Sequence, residues 1–186
     1  MNKNHLIRRT LVSILVVVVA FCTQENALAF SLEGTIFEQV GHEANIDPAL
    51  LYAIALCESG FNPASTKTVS PHPWTLRLPQ KPIYTKTKKE ALEQLHLILK
   101  TTPMVDVGLM QINWYWHSQR VHDADALLDP VTNLRIAAQI LNENFAKHPT
   151  DAIKAIGLYH SHQPERAVPY SALVWRVFLS LKRVPE

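Results

Sequence analysis

The sequence is poor in glycine and cysteine, with 5 and 2 of these residues among 186. So few glycines argue against the glycine-rich loops that bind phosphate groups, whereas 12 prolines are consistent with helices separated by proline. Hydrophobic residues make up 47% of the chain and charged residues 18%, which excludes collagen-like, disordered and disulfide-scaffold proteins. The length suits one domain, whose core is large enough to need no disulfide or structural metal.

The sequence also lacks an apolar run long enough for a permanent membrane span. Its longest run, residues 11–22, has twelve residues with one serine among them, against the roughly 20 that a transmembrane helix needs. A basic segment precedes the run, and the cleavage-site pattern Ala27-Leu28-Ala29 follows it. We therefore predict a secretory signal peptide over residues 1–29 and a mature domain over residues 30–186.

Two other interpretations of the leader stay open, namely an uncleaved anchor and a lipoprotein modified at Cys22. Bulky Phe21 disfavours the second, because a small residue is expected at that position. Cleavage would leave Cys57 as the single cysteine, so that no intramolecular disulfide could form. A lone thiol in an exported protein is expected to be buried, and the alternative is a nucleophilic cysteine.

The predicted mature domain has no excess of charge of either sign. Cleavage removes three of the 18 basic residues and one of the 16 acidic residues, and leaves 15 of each. Nucleic-acid binding calls for a basic face, so no nucleic-acid partner is predicted. Although there are nine histidines, His42-Glu43 is not followed by the second histidine of the zinc-protease motif. We predict no metal and no cofactor.

Helical spacing of apolar residues and helix-capping signals predict a mostly α-helical domain. The predicted helices cover residues 32–44, 48–58, 88–100, 107–117, 151–160 and 168–182, with a further helix beginning at Pro130. Their predicted N-caps include Asp47, Thr87, Asp106, Asp129 and Thr150. Gly60 is predicted to end the second helix in the left-handed conformation. Residues 74–78 and 83–85 are predicted to form a short hairpin.

Glu58 is an unusual residue for its position, because it closes the apolar segment 48–58. A helix that is apolar on every side is a buried helix, and glutamate is rarely buried unless it is paired. Desolvation would raise the pKa of such a carboxyl and keep it protonated as a general acid. The alternative is an exposed glutamate at a helix end, or one paired with an arginine.

Four short motifs follow one another along the mature domain. They are ESGFNP at 58–63 (with IDPALL at 46–51 before it), GLMQIN at 108–113, NLR at 133–135 and AIGLY at 155–159. In this order they resemble the motifs of the lytic transglycosylases of the soluble (SLT) type. The resemblance covers about three quarters of the mature domain, from residue 46 to residue 160.

This resemblance implies a fold, a reaction and a set of site residues. The fold would be a mostly α, lysozyme-like single domain of the goose-type/SLT kind. The reaction would cleave peptidoglycan at the β-1,4 bond between N-acetylmuramic acid (MurNAc) and N-acetylglucosamine (GlcNAc). Glu58 matches the family's catalytic acid. Ser59, Met110, Gln111 and Tyr159 match substrate-binding positions, and Tyr159 also matches the tyrosine that orients the acid.

The chain departs from the family pattern in two places. The first is an insert at residues 64–107, where the family usually has a much shorter connection. Because of this insert, either Ser65 or Ser70 could fill the family's substrate-contacting serine position. The second is His160, at a position where many members have asparagine after the tyrosine. The insert, with its PWTL stretch and following helix, is most similar to transglycosylases of conjugation and pilus-associated gene clusters.

The count of carboxylates predicts how the bond is cleaved. Hydrolysis of a glycoside normally uses two carboxyl groups, but Glu58 alone has motif support. A single acid suffices if the MurNAc C6 hydroxyl attacks within the substrate and closes a 1,6-anhydro ring. Asp106 and Asp129 are candidates for a second carboxylate, and we predict them to be helix N-caps instead.

The leading hypothesis is therefore a periplasmic lytic transglycosylase that opens the wall locally for a conjugation, secretion or pilus apparatus. Its partners would be peptidoglycan glycan strands and components of that envelope-spanning apparatus. One alternative is a goose-type, lysozyme-like hydrolase. Another is a non-catalytic wall-binding assembly factor, in which the insert 64–107 docks a partner.

Overall fold

The computed structural model describes residues 30–63, 68–79 and 81–183, so the predicted signal peptide and Ser65 lie outside the described residues. The helices are α1 Ile36–Ala44, α2 Pro48–Ser59, α3 Lys88–Leu99, α4 Trp114–His117, α5 Pro130–Lys147, α6 Ala152–His160 and α7 Pro164–Lys182. The strands are β1 Gly60–Phe61, β2 Ser70–Pro71, β3 Thr75–Leu78, β4 Lys81–Tyr84, β5 Asp106–Val107 and β6 Ile112–Asn113. The prediction of a mostly α, lysozyme-like fold is confirmed.

Helix α2 is the central helix of the fold, packed between α1 and α7. It begins where the sequence predicts, because the Asp47 side chain accepts a hydrogen bond from the Ala49 N–H at 2.9 Å and Pro48 fits the first turn. Its core-facing residues include Leu51, Ala53 and Ile54, all fully buried. The apolar composition of α2 thus corresponds to burial on most of its surface.

The prediction that Gly60 ends α2 in the left-handed conformation is wrong. Gly60 has φ −53° and ψ 123° and continues directly into β1. Glycine is needed here for close approach instead, because a Cβ at Gly60 would lie 2.3 Å from the Leu56 carbonyl oxygen.

A four-stranded antiparallel sheet of order β4-β3-β5-β6 lies beside the helices. The hairpin of β3 and β4 confirms the predicted one. The predicted helix over 107–117, however, is wrong. Asp106 caps no helix and instead begins β5, which turns at residues 108–111 into β6. Positive φ angles at Gly108 and Gln111 break the helical path, and only the short α4 follows.

Several helix ends also differ from the predicted ones. The first helix begins at Ile36, and the last begins at Pro164 and contains Pro169. The N-cap of α6 is Asp151 and not Thr150, since the Asp151 carboxylate accepts a hydrogen bond from the Lys154 N–H at 2.9 Å. The N-cap predictions at Thr87 and Asp129 are confirmed by hydrogen bonds to the backbone of α3 and α5.

The insert 64–107 shares the core of the domain. Its described residues provide β2, β3, β4, α3 and β5, and its apolar side chains Leu76, Leu95 and Val105 are fully buried in the main hydrophobic cluster. The insert is therefore not an appendage that could be removed without exposing the core. In the described part of the chain, no helix has the length and hydropathy needed to cross a bilayer.

The shared core gives a test of this architecture. Leu95→Ala leaves a cavity in the core and should lower the free energy of unfolding by about 2–5 kcal/mol. Leu97 lies on the same helix and is 55% exposed. Leu97→Ala should therefore change the free energy of unfolding by less than about 0.5 kcal/mol. Urea denaturation of both variants checks this, and equal effects would contradict a core that includes the insert.

Candidate active site

Glu58, near the C-terminal end of α2, is 11% exposed and lines a cleft of about 600 Å³. The cleft holds the charged and polar residues that the fold brings around this carboxyl. Its lining comprises Glu58, Arg77, Leu78, Pro79, Met104, Asp106, Gln111, Asn113, Trp116, His160 and Arg166. Five of these, Arg77, Leu78, Pro79, Met104 and Asp106, belong to the insert, so this segment forms one wall of the cleft.

The turn 108–111 lies against the end of α2 and is largely buried. The side-chain amide of Asn133, on α5, hydrogen-bonds the backbone of this turn and of the residues that flank it. Its Oδ1 accepts a hydrogen bond from the Met110 N–H at 2.7 Å, and its Nδ2 donates to the Val107 and Leu127 carbonyls at 2.8 and 2.9 Å. Gly108 has φ 82°, and a Cβ there would lie 2.6 Å from the Asn133 amide nitrogen. The Asn133 amide can therefore occupy this position only because residue 108 is a glycine.

Two further side chains hydrogen-bond carbonyls of the same turn. The Ser59 hydroxyl donates to the Leu109 carbonyl at 2.6 Å, and the Tyr159 hydroxyl donates to the Met110 carbonyl at 2.8 Å. Burial of this hydroxyl, followed by the nearby Glu58 and Asp106 carboxyls, raises the pKa of Tyr159 well above its usual value. It therefore acts as a neutral hydrogen-bond donor.

The structure places the four predicted substrate-binding residues differently with respect to the cleft. The side chains of Ser59 and Met110 are fully buried. The Tyr159 ring is partly exposed, but its hydroxyl is directed at the turn. Of the four predicted residues, Gln111 lines the cleft beside Glu58. Of the two candidate loop serines, Ser70 lies exposed in β2, and Ser65 is outside the described residues.

Asp106 is a second carboxyl in the cleft that sequence reasoning assigned wrongly to a helix cap. Its Oδ1 accepts a hydrogen bond from Asn113 Nδ2 at 2.8 Å. Burial raises the pKa of Asp106, and Glu58 adds to this, whereas Asn113, Arg77 and His160 oppose it. An aspartate followed by apolar residues fits a helix cap or a strand equally well, so the local sequence could not distinguish the two.

Tyr170 and His160 pack beside Glu58 from the α6–α7 side. The His160 ring stacks on the Tyr170 ring with centroids 4.5 Å apart, and His160 Nδ1 lies 3.8 Å from Glu58 Oε1. Within the described part of the chain, the buried Tyr170 hydroxyl has no hydrogen-bond partner. Burial, and then the Glu58 carboxyl, raise the pKa of Tyr170 well above its usual value. Tyr170 was missed because no recognised motif includes it.

The remaining candidates are Cys57, Trp116 and the possible metal ligands. Cys57 is half-buried, and burial, with Glu58 adding to it, raises its pKa to about 11, which disfavours a nucleophilic thiolate. Trp116 is 62% exposed at the cleft, where an aromatic face could stack on a sugar ring. Among the described residues, no group of three histidine, cysteine or acidic side chains could hold a metal ion.

The comparison with known families agrees with the motifs. The family model described as "Transglycosylase SLT domain" matches residues 35–163, a range that holds α1 to α6 and every cleft-lining residue except Arg166. No curated protein and no solved structure matches the chain.

The raised pKa of Asp106 predicts how stability depends on pH. Because the folded state binds this proton more tightly than the unfolded state, its contribution to stability is greatest at low pH and is lost as the pH rises through the folded-state pKa. Asp106→Asn removes the buried charge and should therefore raise Tm at pH 7; each 1 kcal/mol gained corresponds to roughly 2–4 °C at this size.

The gain in Tm should shrink toward zero at about pH 4, near the usual range for an aspartate, where both side chains are neutral. Differential scanning calorimetry from pH 4 to 8 checks this. Asp125→Asn, in an exposed pair with His96, serves as the control. A lower Tm for Asp106→Asn at pH 7 would show that the carboxylate is stabilised rather than strained.

Proposed function

The chain belongs to the SLT transglycosylase family, whose members are lytic transglycosylases that break glycosidic bonds of peptidoglycan, and from this premise we propose that Glu58 is the catalytic acid. The observation that carries the proposal is the position of Glu58. Its carboxyl is 11% exposed and opens into a cleft that it shares with Gln111 and Trp116. A shielded carboxyl at the side of a cleft suits proton transfer to a bound glycan.

In the proposed mechanism, Glu58 gives its proton to the oxygen that links MurNAc to GlcNAc, and the bond to the MurNAc anomeric carbon breaks. The oxocarbenium-like centre is stabilised by the substrate's own N-acetyl oxygen. Glu58, now a carboxylate, takes the proton of the MurNAc C6 hydroxyl as its oxygen attacks that carbon. The products are a GlcNAc end and a 1,6-anhydro-MurNAc end, with Glu58 protonated again and no water consumed.

Neighbouring side chains support this role by holding Glu58 in place. Ser59, the next residue, is tied to the turn 108–111 through the Leu109 carbonyl. His160 and the buried Tyr170 flank the carboxyl on its other side. A carboxyl held by its surroundings can be aligned with the scissile bond before reaction, which lowers the entropic part of the barrier.

Hydrolysis is a second candidate function, and Asp106 is the observation that favours it. Glycoside hydrolases typically use two carboxyl groups in one cleft. In that case Asp106 would activate a water or stabilise the cationic centre, and the products would carry one more water than the anhydro sugars. We favour the transglycosylase because the chain belongs to that family.

We also propose a cellular setting. Residues 1–29 would direct export, so that the domain of residues 30–186 acts in the periplasm, where its substrate is found. The resemblance of the insert to transglycosylases of conjugation and pilus-associated gene clusters suggests local wall opening for such an apparatus. Packing of the insert into the core argues against an insert that serves only to dock a partner.

The acid role predicts a loss of activity without a loss of fold. Glu58→Gln should reduce release of muropeptides from purified sacculi by at least about 10²–10⁴-fold, with Tm within a few degrees of the wild type. Glu93→Gln, an exposed change on α3, is the matched control and should be fully active. Wild-type activity in Glu58→Gln would refute the assignment.

The mass of the products separates the two reactions. For the wild type, mass spectrometry of the digest should show muropeptides that end in anhydro-MurNAc, each lighter by one water than its hydrolysed counterpart. Asp106→Asn should yield the same product type, because Asp106 takes no proton in the transglycosylase route. Hydrolysed ends from the wild type that disappear in Asp106→Asn would instead establish a two-carboxylate hydrolase.

A further inference from the structure

Arg77 is a residue of the insert that hydrogen-bonds both the end of α2 and the cleft glutamine. It lies in β3, the hairpin strand that occupies an inner position of the sheet, and lines the cleft. Its Nη2 donates to the Glu58 carbonyl oxygen at 2.9 Å, and its Nε donates to Gln111 Oε1 at 3.1 Å. These partners are 19 and 34 residues away in sequence, so no local pattern could reveal them.

The bond to the Glu58 carbonyl has a clear physical role. The last four carbonyls of a helix have no intrahelical partner, and that of Glu58 is one of them. The guanidinium satisfies it and places a positive charge at the negative end of the α2 dipole. Because the Glu58 carboxyl is attached to the same residue, fixing this peptide unit also limits where the carboxyl can go.

The bond to Gln111 fixes the opposite side of the cleft. Gln111 has φ 51° and is 8% exposed. Its Nε2 already donates to the Thr75 and Gly108 carbonyls at 3.1 and 2.8 Å. Arg77 Nε donates to Oε1, the other polar atom of the Gln111 amide. The side-chain amide is therefore held through both of its polar atoms, and two of its three partners belong to β3 of the insert.

Asp106 is the third neighbour of Arg77. The two residues are directly paired across the ladder of β3 and β5, and the guanidinium acts to lower the pKa of the Asp106 carboxyl. An arginine can serve all three groups because its planar fork presents several N–H donors in fixed directions, whereas a lysine carries one compact charge on a flexible stem.

We propose that Arg77 is a positioning residue through which the inserted hairpin completes the active site, by fixing the distance between the Glu58 acid and the cleft glutamine Gln111. The inference rests on the proposed function of Glu58. It assigns to the insert a role in the chemistry of the cleft. Arg77 acts through Glu58 and Gln111 and need not touch the substrate.

The test compares Arg77→Ala and Arg77→Lys with the wild type on soluble, peptide-free glycan strands. Loss of alignment should lower kcat by about 10²-fold, the effect of a displacement on the order of 1 Å, and leave KM within about three-fold. Arg77→Lys should not restore kcat, because one ammonium cannot donate to both acceptors in this geometry. Millimolar guanidinium chloride should restore part of the kcat of Arg77→Ala, and ammonium chloride should not.

Matched controls separate this effect from general destabilisation. Arg135→Ala removes an arginine whose ion pair with Glu43 at 2.8 Å lies outside the cleft, and it should keep wild-type kcat and show no response to guanidinium. Tm and circular dichroism are recorded for each variant. Should Arg77→Ala fail to fold, Arg77→Lys carries the test, because it keeps the charge and most of the packing.

Three results would overturn the inference. One is a folded Arg77→Lys or Arg77→Ala enzyme with wild-type kcat. Another is a rise in KM alone, which would make Arg77 a substrate-binding group. The third is equal rescue by guanidinium and ammonium, which would indicate an effect of ionic strength. Failure of the proposed function is distinct, since it would appear as an active Glu58→Gln enzyme or an inactive wild type.

Discussion

The structure depends on a buried turn, residues 108–111, whose backbone polar groups have little access to water. A buried N–H or C=O without a partner costs roughly 1–3 kcal/mol, and side chains from distant elements supply the partners here. Asn133 serves the Met110 N–H, Ser59 serves the Leu109 carbonyl, and Tyr159 serves the Met110 carbonyl. The four sequence motifs are thus four contributors to one hydrogen-bonded junction.

This junction explains why a carboxyl can sit at the end of an apolar helix. Ser59 joins the C-terminal end of α2 to residues 108–111, and Arg77 joins it to β3. Glu58 then lies between Gln111 on one side and His160 and Tyr170 on the other. Buried Tyr170 lies on one side of the carboxyl, and Arg77 and Asp106 line the same cleft. The site therefore combines a shielded carboxyl, the proposed proton donor, with a cleft wall that carries the Arg77 guanidinium and the Asp106 carboxyl.

The insert changes what kind of cleft this fold provides. Its hairpin adds β3 and β4 next to β5, which places Arg77 opposite Asp106 and extends the wall over Leu78 and Pro79. Its helix α3 is held by fully buried Ala91 and Leu95. A segment that looks like an addition in sequence is, in three dimensions, one side of the site and part of the core. The shape of the cleft and the stability of the core are consequently linked in this part of the chain.

Local chemistry in the sequence determined a large part of this protein. The caps at Asp47, Thr87 and Asp129 and the apolar run before Glu58 specified helices and a shielded carboxyl, because capping and helical periodicity act within a few residues. Only the tertiary structure decided that Asp106 is a strand residue in the cleft and that Ser59 and Met110 face the interior. Those outcomes depend on strand pairing and on hydrogen bonds between residues tens of positions apart, which no local pattern contains.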